Sequence, residues 1–522
     1  MNGAPVRSVR APRRMVACAD QLATQAGMWA FARGGGAVDA AIAANAVMAV
    51  VAPHLCGIGG DLFALVHHEG EVHCLNASGR AGSGASAATL RDEGHTEMPF
   101  RHDVRAVTVP GCIDGWTALA ERFAVLSLDE LLEPAIRLAD DGFPASPLLV
   151  GSAALVDEQG RRSLGVVLDQ VHHPGSPVRR AGVARTLRAI GARGRDGFYG
   201  GEFGEGLLRL GDGLFERADL TRSQADWVTP LRATAFDRDL WTVPPNSQGY
   251  LLLGAAALAD HHGLPTDPDS VAWAHVLVES AKTAGRDRPA VLHDAADGDA
   301  LLAAIAGRSA EIGPRAAFRG GAGAAGDTTY LCTVDEHGTG VSLIQSNASG
   351  FGSWLVEPTT GVNLHNRGLG FSLEAGHPAE LRPGARPPHT LSPALATSDG
   401  SLAAVFGTMG GDAQPQILLQ LAARLFGHQQ SPATSIHAPR WALQGDVTGF
   451  DTWISPNGPA VALEGHAPDE WAEGLAALGH RVRRLPAYDS AFGHAHAIVR
   501  DGDGWWAGAA DPRAQVGSVA GD

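Results

Sequence analysis

Residues 317–327 read Ala-Phe-Arg-Gly-Gly-Ala-Gly-Ala-Ala-Gly-Asp, and at Thr328 the texture changes to Thr-Thr-Tyr-Leu-Cys-Thr-Val. A glycine–alanine tract without periodicity has the composition of a linker or cleavable loop. The β-branched and apolar run after it reads as a strand. A threonine at such a junction can do one particular kind of chemistry. Its hydroxyl is a weak nucleophile until a base takes the proton. If the chain is cut just before Thr328, the new α-amine is that base, titrating near ~7.7–8.0 and so partly unprotonated at neutral pH. Ribosomal chains begin with Met, so the amine must be made by cleavage between Asp327 and Thr328. The Thr328 hydroxyl would attack the Asp327 carbonyl, an N-to-O shift would give an ester, and water would release fragments 1–327 and 328–522. Thr-Thr at a strand start is common, so this reading needs support from the rest of the chain.

The elements around the junction are legible from pattern. Met15 to Arg33 reads as a helix broken by Gly34-Gly35-Gly36. AVDAAIAANAVMAVV, Ala37 to Val51, reads as a second helix, apolar on nearly every face and therefore packed inside. The Gly57-Ile58-Gly59-Gly60-Asp61 turn leads into two strands, LFALVHH and EVHCLNA. A dinucleotide loop needs its strand before the glycines and its helix after them. Here the order is reversed, so no such cofactor is expected. Leu128–Phe143 and the stretches flanking 200–220 read as helices, and Pro230–Pro265 alternates strand and helix around the turn Pro244–Gly249. Past the junction, TTYLCTV and TGVSLIQSN form a hairpin about Asp335-Glu336-His337-Gly338. Leu402–Phe406 reads as a strand, Gln414–Leu425 and Asp469–Leu478 as helices, and HAIVR and WWAGA as a pair of strands.

Composition excludes several partners. Of 522 residues, 45% are hydrophobic and 18% charged, the balance of a globular enzyme with a sizeable core. The formal net charge of −16 argues against nucleic acid and anionic membrane, which need clustered Lys and Arg. Cys18, Cys56, Cys74, Cys112 and Cys332 are odd in number and never in a CxxC pair, which predicts reduced, buried thiols and neither a disulfide frame nor a zinc site. No metal or cofactor is expected. The N-terminus has no apolar core of signal-peptide length, and no apolar run reaches the ~18 residues of a membrane span, so a cytoplasmic location is expected.

Seven segments, in order, resemble the gamma-glutamyltranspeptidase family. They are GGGAVDAAIAANAVMAVVAPHLCGIGGDLFALV, VPGCIDGW with LLEPAIRLADDGFP, TVPPNSQGY, DTTYLCTVDEHGTGVSLIQSN followed by GFGS, SPALATSDGSLAAVFGTMGGDAQPQ, and AADPR. The resemblance implies a four-layer αββα sandwich of the N-terminal nucleophile hydrolase type. A large segment, 1–327, and a small segment, 328–522, would form one intertwined domain, paired as a heterodimer after cleavage, with further pairing of that unit left open. It implies Thr328 as nucleophile, Thr329 as the second threonine of the family's pair, and Ser346 as a neighbouring hydroxyl. The N–H groups at Gly410-Gly411 would form the oxyanion hole, a role glycine suits because it lets backbone approach a tetrahedral intermediate. Arg80 falls at the family's carboxylate-binding arginine, and a guanidinium can hold a carboxylate by two parallel bonds.

The chain also departs from the family. Transpeptidases bind the substrate ammonium through a Leu-Asn-Asn-Gln-Met-Asp-Asp-Phe-like stretch. Here it reads Leu364-His365-Asn366-Arg367-Gly368-Leu369-Gly370-Phe371, with Arg367 for the amide and Gly370 for the ammonium-binding carboxylate. A cation facing an ammonium, with no anion opposite, disfavours gamma-glutamyl substrates. The family's paired serines become His389-Thr390; Thr390 keeps a hydroxyl, and His389 is either a ligand contact or a packed imidazole. Arg80, Arg367, His389 and Thr390 together suggest a small anionic amide without an α-amine, as in the branch of oxamate amidohydrolases and glutaryl-type acylases. Two alternatives stand beside this: a gamma-glutamyl hydrolase or transferase acting on glutathione, and an uncleaved family member that only binds a metabolite.

Overall fold

The helix Ala37–Val51 is buried along its whole length, so its few polar side chains must find partners inside the protein. Asp39 accepts from Gly36 N at 2.9 Å and from Leu126 N at 2.8 Å. Asn45 accepts from Trp116 Nε1 at 2.7 Å and donates to Gln345 Oε1 at 3.0 Å. The last contact ties this helix to the strand that carries Ser346. The computed structural model describes residues 6–316, 327–445, 452–453 and 459–522. The glycine–alanine tract lies outside the described residues except for its last member, Asp327.

Two antiparallel seven-stranded sheets form the centre. One runs Ser518–Gly521, Met15–Cys18, Asp327–Val334, Gly340–Ala348, Asp61–His68, Glu71–Ala77, Asp226–Val228. The other runs Val9–Ala11, Trp506–Ala509, Ala495–Arg500, Ser401–Thr408, Ala394–Ser398, Arg238–Thr242, Leu231–Ala235. Both sheets therefore interleave strands from either side of the Asp327–Thr328 bond. Phe63, Tyr330, Ile344, Leu395, Val405 and Ile498 pack between the sheets. Helices Gln21–Ala32, Ala37–Val51 and Leu128–Asp141 belong to the outer layer on the first sheet, and Tyr250–His262, Val271–Gly285 and Gln414–Ala422 to that on the second. The architecture is the four-layer αββα sandwich. All five cysteines are buried and free, and no helix of the described residues is long and apolar enough to cross a membrane.

One element differs from its sequence reading. Met15–Cys18 is a strand, not the start of a helix, and pairs with Leu331–Val334 on one side and Ser518–Gly521 on the other. Paired and covered on all sides, it shows no polar alternation, which is why pattern alone merges it with the helix behind it. That helix begins at Gln21, where the Asp20 side chain accepts from Leu22 N at 2.8 Å. A small sheet of Trp441–Gln444, Ala460–Glu464 and Val482–Leu485 adds to the flank.

The sheets approach closely where Gly407 faces the Tyr330 ring. A Cβ there would lie 2.1 Å from a ring carbon. Gly407→Ala should therefore force the sheets apart and lower stability by about 1–3 kcal/mol, the usual penalty for overpacking. Urea denaturation checks this; an unchanged midpoint would mean the two sheets are not in contact at this point.

Candidate active site

Thr328 sits at an irregularity in the sheet. Asp327 lies opposite Ala348 but Thr329 opposite Gln345, so the register shifts at the nucleophile candidate. Bulges of this kind re-aim a side chain out of the regular alternation. The buried Thr328 hydroxyl lies 3.0 Å from Ser346 Oγ. Ser346 Oγ in turn accepts from Ala348 N at 2.8 Å, which pins the serine beside the threonine. Thr329 Oγ1 is buried with no hydrogen-bond partner among the described residues. The turn before the neighbouring strand is built for close approach: a Cβ on Gly60 would lie 2.2 Å from Ser346 O.

Asp61, the next residue, faces Ser346 across the sheet and is wholly buried. Its Oδ2 receives Arg367 Nε at 2.8 Å and His389 Nε2 at 2.8 Å, with His365 Nδ1 at 3.5 Å. Burial pushes the carboxyl up, but Arg367, His389 and His365 outweigh it and hold Asp61 well below the usual carboxylate range. His389 Nδ1 accepts from Leu391 N at 3.2 Å, so the ring's proton is on Nε2, directed at Asp61. Burial, aided by Arg367, lowers His389 to about 4, so it is neutral at pH 7. Both ring nitrogens are thus used within the protein.

Arg367 Nη1 reaches Thr390 Oγ1 at 3.1 Å, and its Nη2 has no partner among the described residues. From Thr390 the contacts continue through Gln248, whose Nε2 donates to Thr390 O at 2.9 Å and to Gly411 O at 3.0 Å. An unbroken series of neighbours therefore runs from Thr328 through Ser346, Asp61, Arg367, Thr390 and Gln248 to Gly411. Gly410 and Gly411 have φ of 136° and 55°, a backbone that side chains other than hydrogen rarely allow. Their N–H groups donate to nothing among the described residues, while Gly410 O accepts from Ala413 N at 3.0 Å. Two adjacent free donors at a glycine turn can bind an anionic oxygen.

Arg367 and Thr390 line a cavity of about 540 Å³. Its other walls are Phe100, Leu292, Phe371 and Trp453, with Arg288, which pairs with Asp412 at 3.2 Å. The carboxylates on its lining, Glu97 and Glu374, are exposed, whereas Arg367 is buried. Among the described residues no cluster of His, Cys, Asp and Glu could hold a metal ion.

The pattern of the family described as gamma-glutamyltranspeptidase matches residues 23–521. The chain belongs to the gamma-glutamyltranspeptidase family. It is similar to the oxamate amidohydrolase proenzyme of Klebsiella pneumoniae, 35% identical over 531 residues with 97% of this chain and 98% of that one covered. It is similar to the glutathione hydrolase-like YwrD proenzyme of Bacillus subtilis, 33% identical over 536 residues with 98% and 99% covered. Among solved structures, the cephalosporin acylase from Bacillus halodurans superposes with a TM-score of 0.90 at 32% identity, covering 100% of this chain and 98% of that one. The protein is a hydrolase of this family.

Arg80 is engaged by other groups of the protein. Its Nη2 pairs with Asp226, its Nη1 reaches Ser223 O at 3.3 Å, and Arg386 holds the same Asp226 oxygen at 2.8 Å. The gamma-glutamyltranspeptidase-like motifs led to Thr328, Ser346, Arg367, His389, Thr390 and the glycine pair, but not to Asp61, His365, Gln248 or Arg288 as members of the site. Asp61 had one visible signal, an acid at the head of an otherwise apolar strand.

Five buried histidines are kept neutral, in each case chiefly by burial: His389 and His494 at about 4, His54, His480 and His496 at about 3. Unfolded, each titrates near ~6.5, so between that pH and ~4 the unfolded chain binds more protons than the folded one. Stability from these groups is present above ~6.5 and is lost as pH falls through that window. The urea midpoint should drop steadily from pH 7 to pH 4.5; a flat profile would mean these imidazoles are solvated.

Proposed function

We propose that the protein is the self-processing precursor of an amidohydrolase whose nucleophile is Thr328. The observation that carries this is the Thr328 hydroxyl, placed on a sheet irregularity 3.0 Å from Ser346 Oγ and joined through a run of buried neighbours to the Gly410-Gly411 turn. In the precursor, Thr328 Oγ attacks the Asp327 carbonyl carbon and the Thr328 nitrogen leaves with a proton. The resulting ester takes up water and releases the Asp327 carboxylate. The freed α-amine then accepts the hydroxyl proton when Thr328 attacks a substrate amide. The amine of that substrate departs, and water hydrolyses the acyl ester. Cleaved fragments 1–327 and 328–522 would remain together as a heterodimer, because each sheet uses strands from both.

The substrate we favour is a small amide bearing a carboxylate, oxamate-like or glutaryl-like. Arg367 supports this: its charge is held in place by Asp61, and its Nη2 has no partner among the described residues. The names of the oxamate amidohydrolase and cephalosporin acylase relatives agree with it. Arg80 would join in substrate binding only by giving up Asp226. A gamma-glutamyl substrate is the second reading, favoured by the glutathione hydrolase-like relative and by Glu97 and Glu374, which could meet an ammonium at the cavity's edge.

Intact-mass measurement on purified wild type should show two fragments meeting at Asp327–Thr328, and Thr328→Ala should stay one inactive chain. Splitting of that variant at the same bond would rule Thr328 out; a wild type that persists full-length would leave only a binding role. Incubation with oxamate, glutaryl amides and glutathione, assaying ammonia or amine release, separates the substrate readings. Arg367→Lys should mature normally but raise KM for the anionic amide about tenfold or more, for loss of a charge-assisted contact of roughly 1.5–3 kcal/mol. An unchanged KM would place Arg367 outside substrate reach.

A further inference from the structure

The C-terminal segment Ala509-Ala510-Asp511-Pro512-Arg513 has no part in the reaction above, yet it is one of the most heavily charged places inside the protein. Asp511, Arg513, Arg440 and Glu464 are all buried and lie together. Arg513 grips Glu464 through Nε at 2.8 Å and through Nη2, and its Nη1 meets Asp511 Oδ1 at 3.1 Å. Arg440 Nη2 meets Asp511 Oδ2 at 2.7 Å. Two cations and two anions cancel, so the cluster exerts little net field. Buried pairs of this kind are seldom more stabilising than apolar packing of the same volume, which directs attention to what their geometry holds.

They hold the backbone of residues 492–495. Arg440 Nη1 donates to Phe492 O at 2.8 Å and to Gly493 O at 3.1 Å. Asp511 Oδ2 accepts from Ala495 N at 2.6 Å. That short segment is the surface on which the glycine turn rests. Met409 N donates to His494 O at 3.3 Å, and Gly493 Cα lies 3.7 Å from the point where a Cβ on Gly410 would stand. Gly493 has φ of 78°, and a Cβ on it would be 2.4 Å from Met409 O and 2.5 Å from Thr408 Oγ1. Displacement of residues 492–495 is therefore transmitted directly to Met409 and Gly410.

We propose that Arg440 and Asp511, with Arg513 and Glu464 behind them, are positioning residues that set the Gly410-Gly411 turn against Gly493-His494, so that its two free N–H groups keep the spacing an oxyanion requires. The inference rests on the Thr328 acyl-transfer reading given under Proposed function. Donors aimed at a developing oxyanion act through preorganisation, so a small shift of the turn weakens transition-state binding while the resting substrate is held as before.

Two variants test it. Arg440→Lys retains a cation for Asp511 but cannot span both carbonyls, and Gly493→Ala keeps all four charges while pressing a methyl on Met409 O. Each is purified as cleaved enzyme and assayed with oxamate or glutaryl 4-nitroanilide, whichever the wild type turns over. Expected is a fall in kcat of at least about tenfold with KM within about twofold, set against the ~10²–10³ lost when one oxyanion donor is removed outright. Affinity for 4-boronobutanoate, which forms a tetrahedral adduct on a hydroxyl nucleophile, should fall in parallel, while affinity for glutarate stays the same. Arg440→Met should be more severe than Arg440→Lys; if the Arg440 variants do not fold, Gly493→Ala decides. The proposal is overturned if kcat is retained in the matured variants, or if boronate and glutarate affinities change together. A wild type that persists as one full-length chain would instead overturn the Thr328 reading itself.

Discussion

Asp61 carries a full negative charge with no exposure to solvent, and the rest of the site is arranged to make that tolerable. An isolated buried carboxylate would take up a proton rather than stay ionised. Here a guanidinium and an imidazole N–H converge on one oxygen, and a second imidazole stands behind them. Each of those partners is thereby fixed as well: Arg367 in its approach to the cavity, His389 in its tautomer, His365 against Thr108 O at 2.9 Å. Because Asp61 also faces Ser346 across the sheet, the same carboxylate couples the place where a hydroxyl would attack to the place where a substrate's charge would be held.

The polarity of the cavity follows from this arrangement. Its buried charge is positive and its acids are at the exposed edge, so an anionic group gains by going inward and an ammonium gains by staying out. The apolar walls, Phe100, Leu292, Phe371 and Trp453, offer area without further charge.

Several buried polar side chains in the layers around the site are tied to backbone or to one another, as Asn45 is to Gln345 and Trp116, and Gln345 Nε2 to Gly57 O at 2.7 Å. Polar groups paired in this way inside a low-dielectric interior cost far more to misplace than exposed ones. The strand that begins at Asp327 is hydrogen-bonded on both sides, and glycines at positions 60 and 407 let backbone and ring approach where any side chain would collide.

Local chemistry was readable from the chain. A run of alanines and valines between a glycine triplet and Pro53 specified the helix Ala37–Val51, and an Asp-Glu-His-Gly turn between β-branched arms specified the hairpin 327–348, because both signals act within a dozen residues. The family motifs added Thr328, Ser346, Arg367, His389, Thr390 and the glycine pair as candidates. Pattern failed at Met15–Cys18, whose strand character comes only from partners more than 300 residues away. It also gave no warning that Arg80 would be engaged by Asp226, or that Asp61, Gln248 and Arg440 would link the parts of the site. Ion pairs and hydrogen bonds between residues remote in sequence leave no periodicity, and burial alone determines which of many charged residues must find a partner. The sequence by itself determined the elements and the nucleophile candidate; only the packing of four layers decided which charges meet around it.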